Sequence, residues 1–199
     1  FRISTSREEA RKTLGLPNDQ TIILYCGQVI LWKGVDILLE VSPFLRPEEF
    51  IYVIVGGDDI SIEEFKNKHK AVNPRNVILV EGKTHKDIPL LLRSADVLVL
   101  PNTARDYTSK YDTSPVKLFE YMASGRPIVS SDLPSLRNIV DENMVWFFEP
   151  DNPQALAEAI HAALTDLPKS QEKSMRAQEE AEKYTWQRRF TDIFKFVEA

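Results

Sequence analysis

Two carboxylates, Asp112 and Glu120, stand with seven residues between them, and a short helix fits into that interval. Ser114 suits its N-cap and Pro115 its first position. The first turn of a helix carries amide N–H groups without intrahelical partners, so an anion can be held between those amides and a charged side chain. Pro115 has no N–H, which leaves Val116 and Lys117 as the donors. Much earlier, the run Gly27-Gln-Val-Ile-Leu-Trp-Lys-Gly34 offers Lys33 as a point charge for a phosphate. Together these residues suit the binding of a phosphate-bearing ligand. Taken singly they read equally well as a solvated helix face and a solvated loop lysine.

Several elements must place them. In the helix after Ser114, Val116, Phe119, Tyr121, Met122 and Ala123 form an apolar face. Gly125 stops it, Pro127 forbids its continuation, and Ile128-Val129 reads as a buried strand. Continuous apolar runs at 21–26, 50–55, 76–80 and 95–100 also read as strands buried on both faces, and 143–148 as a sixth. Helical patterns alternate with them, at 6–15, 35–41, 61–70, 87–94, from Leu133, from Asp151 and from Trp186; 169–183 is polar and predicted to lie on the surface. This alternation predicts an α/β fold: a Rossmann-like, doubly wound, mostly parallel six-stranded sheet with helices on both faces. Ligands bind such sheets at the carboxyl ends of the strands. The long polar loop 101–115 and the loops after 26, 55 and 80 should meet there.

The composition narrows the classes of function. The chain has 199 residues, 43% of them hydrophobic and 28% charged, as in an ordinary globular domain. A net charge of −5 argues against nucleic acid as a partner. Cys26, the single cysteine, excludes an internal disulfide and suits a reducing compartment. At the end of a buried strand, it reads as structural rather than nucleophilic. No apolar run has the ~20 residues of a membrane span. His69, His85 and His161 lack ligand spacing and are predicted to be surface residues, so no metal is expected. The chain begins with Phe rather than Met, as a piece of a longer protein would.

The stretch Asp112-Thr-Ser-Pro-Val-Lys-Leu-Phe-Glu-Tyr-Met-Ala-Ser-Gly-Arg-Pro-Ile-Val129 resembles the signature of retaining nucleotide-sugar glycosyltransferases of the GT-B fold. That group includes glycogen and sucrose synthases and many bacterial hexosyltransferases. The resemblance implies two Rossmann-like domains around an active site, with residues 1–199 as the C-terminal, donor-binding one. Within it, 1–20 is a lead-in segment, and 184–199 a helix crossing back to an N-terminal, acceptor-binding domain of the same polypeptide.

By the same resemblance Lys33, Asp112 and Glu120 form the reaction site. Lys33 and the amides after Ser114 meet the donor diphosphate, Glu120 grips the ribose, and Asp112 contacts sugar hydroxyls. Gly27, Gln28, Gly82, Lys83, Ser114, Val116 and Lys117 complete the donor contacts, with Gly82 near the base. Gln28 stands where Arg is usual and Asp112 where Glu is usual. Lys117 and Arg126 are the cations nearest in sequence that could replace the missing charge. The implied reaction transfers a glycosyl group from a nucleoside-diphosphate sugar, with a uridine or guanosine base foremost, to an acceptor with retention. No cofactor or metal is implied. The enzyme would be cytoplasmic, or held peripherally at the inner face of a membrane, and this chain alone would not turn over. The alternatives are a non-catalytic nucleotide-binding or interaction domain, which Gln28 and Asp112 would suit, and a sugar-nucleotide epimerase of the same fold.

Overall fold

The computed structural model describes residues 3–56, 58–80, 84–113 and 115–198. Six parallel strands form one sheet: β1 (Thr21–Gln28), β2 (Glu49–Gly56), β3 (Val77–Val80), β4 (Val97–Leu100), β5 (Ile128–Ser131) and β6 (Trp146–Phe148). Their spatial order is β3-β2-β1-β4-β5-β6. The order reverses between β1 and β4, so a crevice opens beyond the carboxyl ends of those two strands. β1 and β2 pair over their whole length, from Thr21 opposite Glu49 to Gln28 opposite Gly56.

Side chains alternate across the sheet, and each face is covered. Ile23, Tyr25, Val53 and Val99 point into one core layer, with Leu38 and Leu39 of helix α2 (Ile37–Glu40), Phe65 of α3 (Asp59–Val72) and Ile160 of α7 (Pro153–Thr165). Ile22, Leu24 and Leu98 point into the other layer. They meet Leu91 and Leu92 of α4 (Ile88–Ser94), Leu118, Tyr121 and Met122 of α5 (Val116–Ser124), and Leu136 of α6 (Pro134–Arg137).

The first helix, α1 (Arg7–Leu14), is closed by a Ser6–Glu9 capping box and by Gly15 in the left-handed conformation. Far from being a loose lead-in, it is fastened to the sheet. Arg11 is fully buried and donates to the carbonyls of Ser94 (2.8 Å) and Gln20 (2.9 Å) and to Asp96 Oδ2 (2.6 Å).

Some expectations need correcting. Strand β6 spans only Trp146–Phe148, because residues 141–145 fold into a turn in which Val145 N–H donates to Asp141 O at 3.1 Å. In α5 Pro115 is the cap, in an extended conformation, and Val116 is the first helical residue. Val116 is 64% exposed and does not share the buried face, which Leu118 supplies with Tyr121 and Met122. The polar stretch 169–183 falls in α8 (Leu167–Ala181), whose Ser170, Ser174 and Ala177 face is buried. Small side chains let that face pack closely on α5. Buried Lys173 donates to the backbone oxygens of Val145 and Glu142.

Two of the histidines are half-buried at the surface and hydrogen-bonded. His69 Nε2 lies 2.9 Å from Val77 O, and His161 Nε2 lies 2.8 Å from Oε2 of buried Glu49. His85 is exposed. The last helix, α9 (Trp186–Glu198), leaves Phe190 and Phe194 exposed, their rings tilted at 42° to one another with centroids 5.2 Å apart. No helix among the described residues is long and apolar enough to cross a membrane.

Candidate anion-binding site at the switch point

Strand β1 ends in Tyr25-Cys26-Gly27-Gln28 at the crevice. Lys117, on the first turn of α5, reaches up beneath Gly27 and sets its ammonium 3.8 Å from the centroid of the Tyr25 ring. A Cβ at position 27 would collide with Nζ and Cε of Lys117, so glycine there is a matter of space. A short 3₁₀ turn, Leu31–Lys33, then carries Lys33 to the same crevice. Gly34 follows with φ 64°, and a Cβ there would strike the backbone of Pro101 and come within 2.9 Å of Thr103 N. The β1 loop can therefore lie against the chain leaving β4 only if residue 34 is glycine.

Helix α5 is fixed beneath this edge. Its Tyr121 is buried, and the backbone N–H of Cys26 donates to the Tyr121 phenol oxygen at 2.9 Å. The Tyr25 hydroxyl donates to Gln28 O at 2.7 Å. In the first turn Leu118 N–H donates to Pro115 O at 2.9 Å, so the amides ahead of it, Val116 and Lys117, belong to the helix's free N-terminal set.

The electrostatics are those of a site short of negative charge. Burial, and then the charge of Lys33, hold the Lys117 ammonium well below the usual lysine range. Burial also lowers Lys33. Burial raises the Glu120 carboxyl, against the opposing influence of His85, whose Nε2 lies 3.6 Å from Glu120 Oε1. Burial pushes the Cys26 thiol up to about 11, which leaves it protonated and unsuited to nucleophilic work. Two cations weakened by desolvation and mutual repulsion, beside a helix N-terminus, form a cradle for a polyanion.

The structure thus brings together Gly27, Gln28, Lys33, Lys117 and Glu120, with Val116 at the mouth. Gln28 does not leave a void where a cation might stand: its Oε1 accepts from Lys33 Nζ at 3.1 Å and orients that lysine. Trp32 supports the same ammonium, with its ring centroid 5.2 Å away. Asp112 is exposed at the end of a π-helical turn, Thr108–Asp112, which packs beside the turn of Lys33. Gly82, Lys83 and Ser114 lie outside the described residues. Arg126 is not in the site, because α5 carries it to the opposite edge of the sheet, next to Pro127 at the start of β5. The contributions of Tyr25 and Tyr121 were hidden in apolar runs. The available signal was that a tyrosine in a fully buried segment needs a partner for its hydroxyl.

The strand order and the position of this crevice define a Rossmann-like α/β architecture. Residues 6–184 match the family described as glycosyl transferases group 1, and the chain belongs to that family. It is 30% identical over 169 residues to a D-inositol 3-phosphate glycosyltransferase of Xylanimonas cellulosilytica, covering 82% of this chain and 38% of that protein. The chain spans about half or less of the length of the curated relatives it matches. Among solved structures it is similar to HepE of Anabaena in complex with UDP-glucose, at 20% identity and a TM-score of 0.73, covering 89% of this chain and 48% of that one. It is also similar to the C-terminal domain of LpcC, a group 1 glycosyl transferase family protein of Francisella tularensis, at 15% identity and a TM-score of 0.72. That match covers 92% of this chain and 94% of the other.

Proposed function

We propose that this chain is the donor-binding, C-terminal half of a retaining glycosyltransferase that takes a nucleoside-diphosphate sugar and passes its glycosyl group to an acceptor held by an N-terminal domain. The observation that carries this reading is the pair Lys33 and Lys117 at the switch point, beside the N-terminus of α5. A diphosphate placed there meets both ammoniums and the amides of Val116 and Lys117. Glu120, one turn along α5 from Lys117, takes the ribose hydroxyls. Asp112 reaches sugar hydroxyls from the rim. Gly82, at the base, and Lys83 are assigned to the donor by the family resemblance alone. Supporting the reading are the UDP-glucose in the HepE structure and the near-equal extent of this chain and the LpcC domain.

In the reaction the bond between the anomeric carbon and the diphosphate oxygen breaks as the acceptor oxygen bonds to that carbon on the same face, and the acceptor's hydroxyl proton passes to the departing diphosphate. Negative charge grows on the departing diphosphate. Lys33, Lys117 and the α5 amides stabilise it from fixed positions, which is electrostatic catalysis. The buried Lys117 gains most, since the growing charge restores the ammonium that desolvation disfavours. The acceptor comes from the other domain, so the chain by itself binds donor without turning it over. Helix α9, with Phe190 and Phe194 outward, is the segment that crosses back to that domain. The enzyme works in the cytoplasm, in solution or peripherally at the inner face of a membrane.

Thermal unfolding with UDP, GDP and ADP and their sugar conjugates tests the reading. A ligand at ~100 times its Kd stabilises by about 2.7 kcal/mol, roughly 5–10 °C for a domain of this size. A shift with one base, abolished in Lys33→Ala and Glu120→Ala, is the expected result. Equal indifference to every nucleotide, in this chain and in the polypeptide carrying the acceptor domain, would overturn it. Donor binding without transfer in that longer polypeptide would instead identify a non-catalytic domain.

A further inference from the structure

Arg126 leaves α5 at Gly125 and comes to the amino edge of the sheet, where a cleft of about 600 Å³ opens. Arg7, Thr21, Asp96, Gln171 and Gln178 line it with Arg126. The volume falls within the range of small-molecule sites. The cleft is separated from the crevice at Lys33 by the length of the eight-residue β1, about 25 Å.

The lining carries three arginines, Arg7, Arg46 and Arg126, and three carboxylates, Glu48, Glu49 and Asp96, but two of these carboxylates are already engaged. Arg126 Nε is buried and has no hydrogen-bond partner among the described residues. Asp96, the carboxylate that favours its charge, is already paired to both Arg7 and Arg11 and accepts from Ile22 N–H at 2.8 Å. Glu49, also on the wall, is engaged by His161 at 2.8 Å and by Arg46 N–H at 2.8 Å. Burial, with Arg93, Arg7 and Arg11 as like-charged neighbours, lowers the Arg126 guanidinium to about 10, so it remains a cation at neutral pH. Arg126 thus shares Asp96 with two other guanidiniums, and an anion entering the cleft would offset the burial of its charge. A guanidinium presents a planar fork that matches the oxygens of a phosphate. Gln171, Gln178 and Thr21 add amide and hydroxyl groups suited to a hydroxylated body.

We propose that this amino-edge cleft is a second anion site, independent of the donor site, which takes a small phosphomonoester anchored on Arg126 with Arg7 at its mouth. The test follows the Arg Nε–Hε signals of the ¹⁵N-labelled chain during titration with inorganic phosphate and with a hexose 6-phosphate, against sodium chloride at equal ionic strength. The Arg126 signal should move saturably, with a Kd of about 1 mM or below. The hexose phosphate should bind more tightly than phosphate. Lys33→Ala should leave the response intact, and Arg126→Gln should abolish it. Arg7→Gln, at a residue whose side chain is 39% exposed, should weaken binding at least ~5-fold while keeping the fold. Changes that are linear and match those in chloride, or a response unaltered in Arg126→Gln or Arg7→Gln, would overturn the proposal. Loss of the response in Lys33→Ala would assign it to the donor site instead.

Discussion

The backbone N–H of Cys26 donates to the phenol oxygen of Tyr121 across 2.9 Å, joining the last turns of β1 to the middle of α5. Both residues are buried, so no water competes for the amide. Tyr121→Phe leaves that N–H without a partner. Losing a buried partner costs about 1–3 kcal/mol, and the unfolding midpoint should fall by roughly 3–10 °C. Since α5 also carries Lys117 and Glu120, nucleotide affinity should fall with it. A loss of stability with affinity unchanged would show that the bond does not set the site's geometry.

Lys117 makes donor binding pH-dependent. Its ammonium is disfavoured in the empty site by burial and by Lys33, and a diphosphate favours it. Between the free and the donor-bound values of Lys117, binding should therefore take up a proton, and affinity should fall as pH rises from the depressed free value toward the bound one. Calorimetry in two buffers of different ionisation enthalpy reads that proton directly. The empty protein responds with the opposite sign. Between the folded-state value and the ordinary lysine range the unfolded chain binds more protons, so stability there rises with pH. Lys117→Met should reduce both effects to the share of Lys33, whose ammonium burial also disfavours, and leave the Tyr25 ring covered.

The glycines at positions 27 and 34 should weigh differently on binding and folding. A Cβ at position 34 meets backbone atoms, at a residue with φ 64°. Gly34→Ala should cost about 2–4 kcal/mol in chemical denaturation. A Cβ at position 27 meets chiefly the flexible end of Lys117, but the residue has φ 155°, which side chains rarely adopt. Gly27→Ala should displace that ammonium, cost about 1–3 kcal/mol through the backbone, and lower nucleotide affinity by ~10-fold or more. Unchanged nucleotide affinity in Gly27→Ala would contradict the space argument.

Asp96 holds α1 to the amino edge by pairing with Arg7 and with the fully buried Arg11. Asp96→Ala strands the Arg11 guanidinium, and breaking a buried pair from one side costs about 3–5 kcal/mol. The midpoint should drop by roughly 6–20 °C. Denaturant unfolding of Asp96→Ala beside the double variant Asp96→Ala/Arg11→Met should show part of that loss recovered, because no charge is then left buried alone.

Local chemistry along the chain determined the class of fold. Ile22 to Cys26 and Val97 to Leu100 read as doubly buried strands because no polar residue interrupts them, and Ser6 with Gly15 bounds α1 because capping needs only neighbours in sequence. The stretch 112–129 also marked Lys33's partner helix, since a cap, an apolar face and a terminating glycine fall within a few turns. Only the tertiary structure decided which cations meet. Lys117 and Arg126 are nine residues apart, yet α5 directs one to the carboxyl edge and the other to the amino edge. That separation depends on where the helix docks against β1 and α8, through contacts such as Cys26–Tyr121 that are remote in sequence. The same holds for the burial of Arg11 and Lys173. Each is a polar residue whose local surroundings predict exposure, and each becomes affordable inside only because distant carbonyls or carboxylates supply its hydrogen bonds.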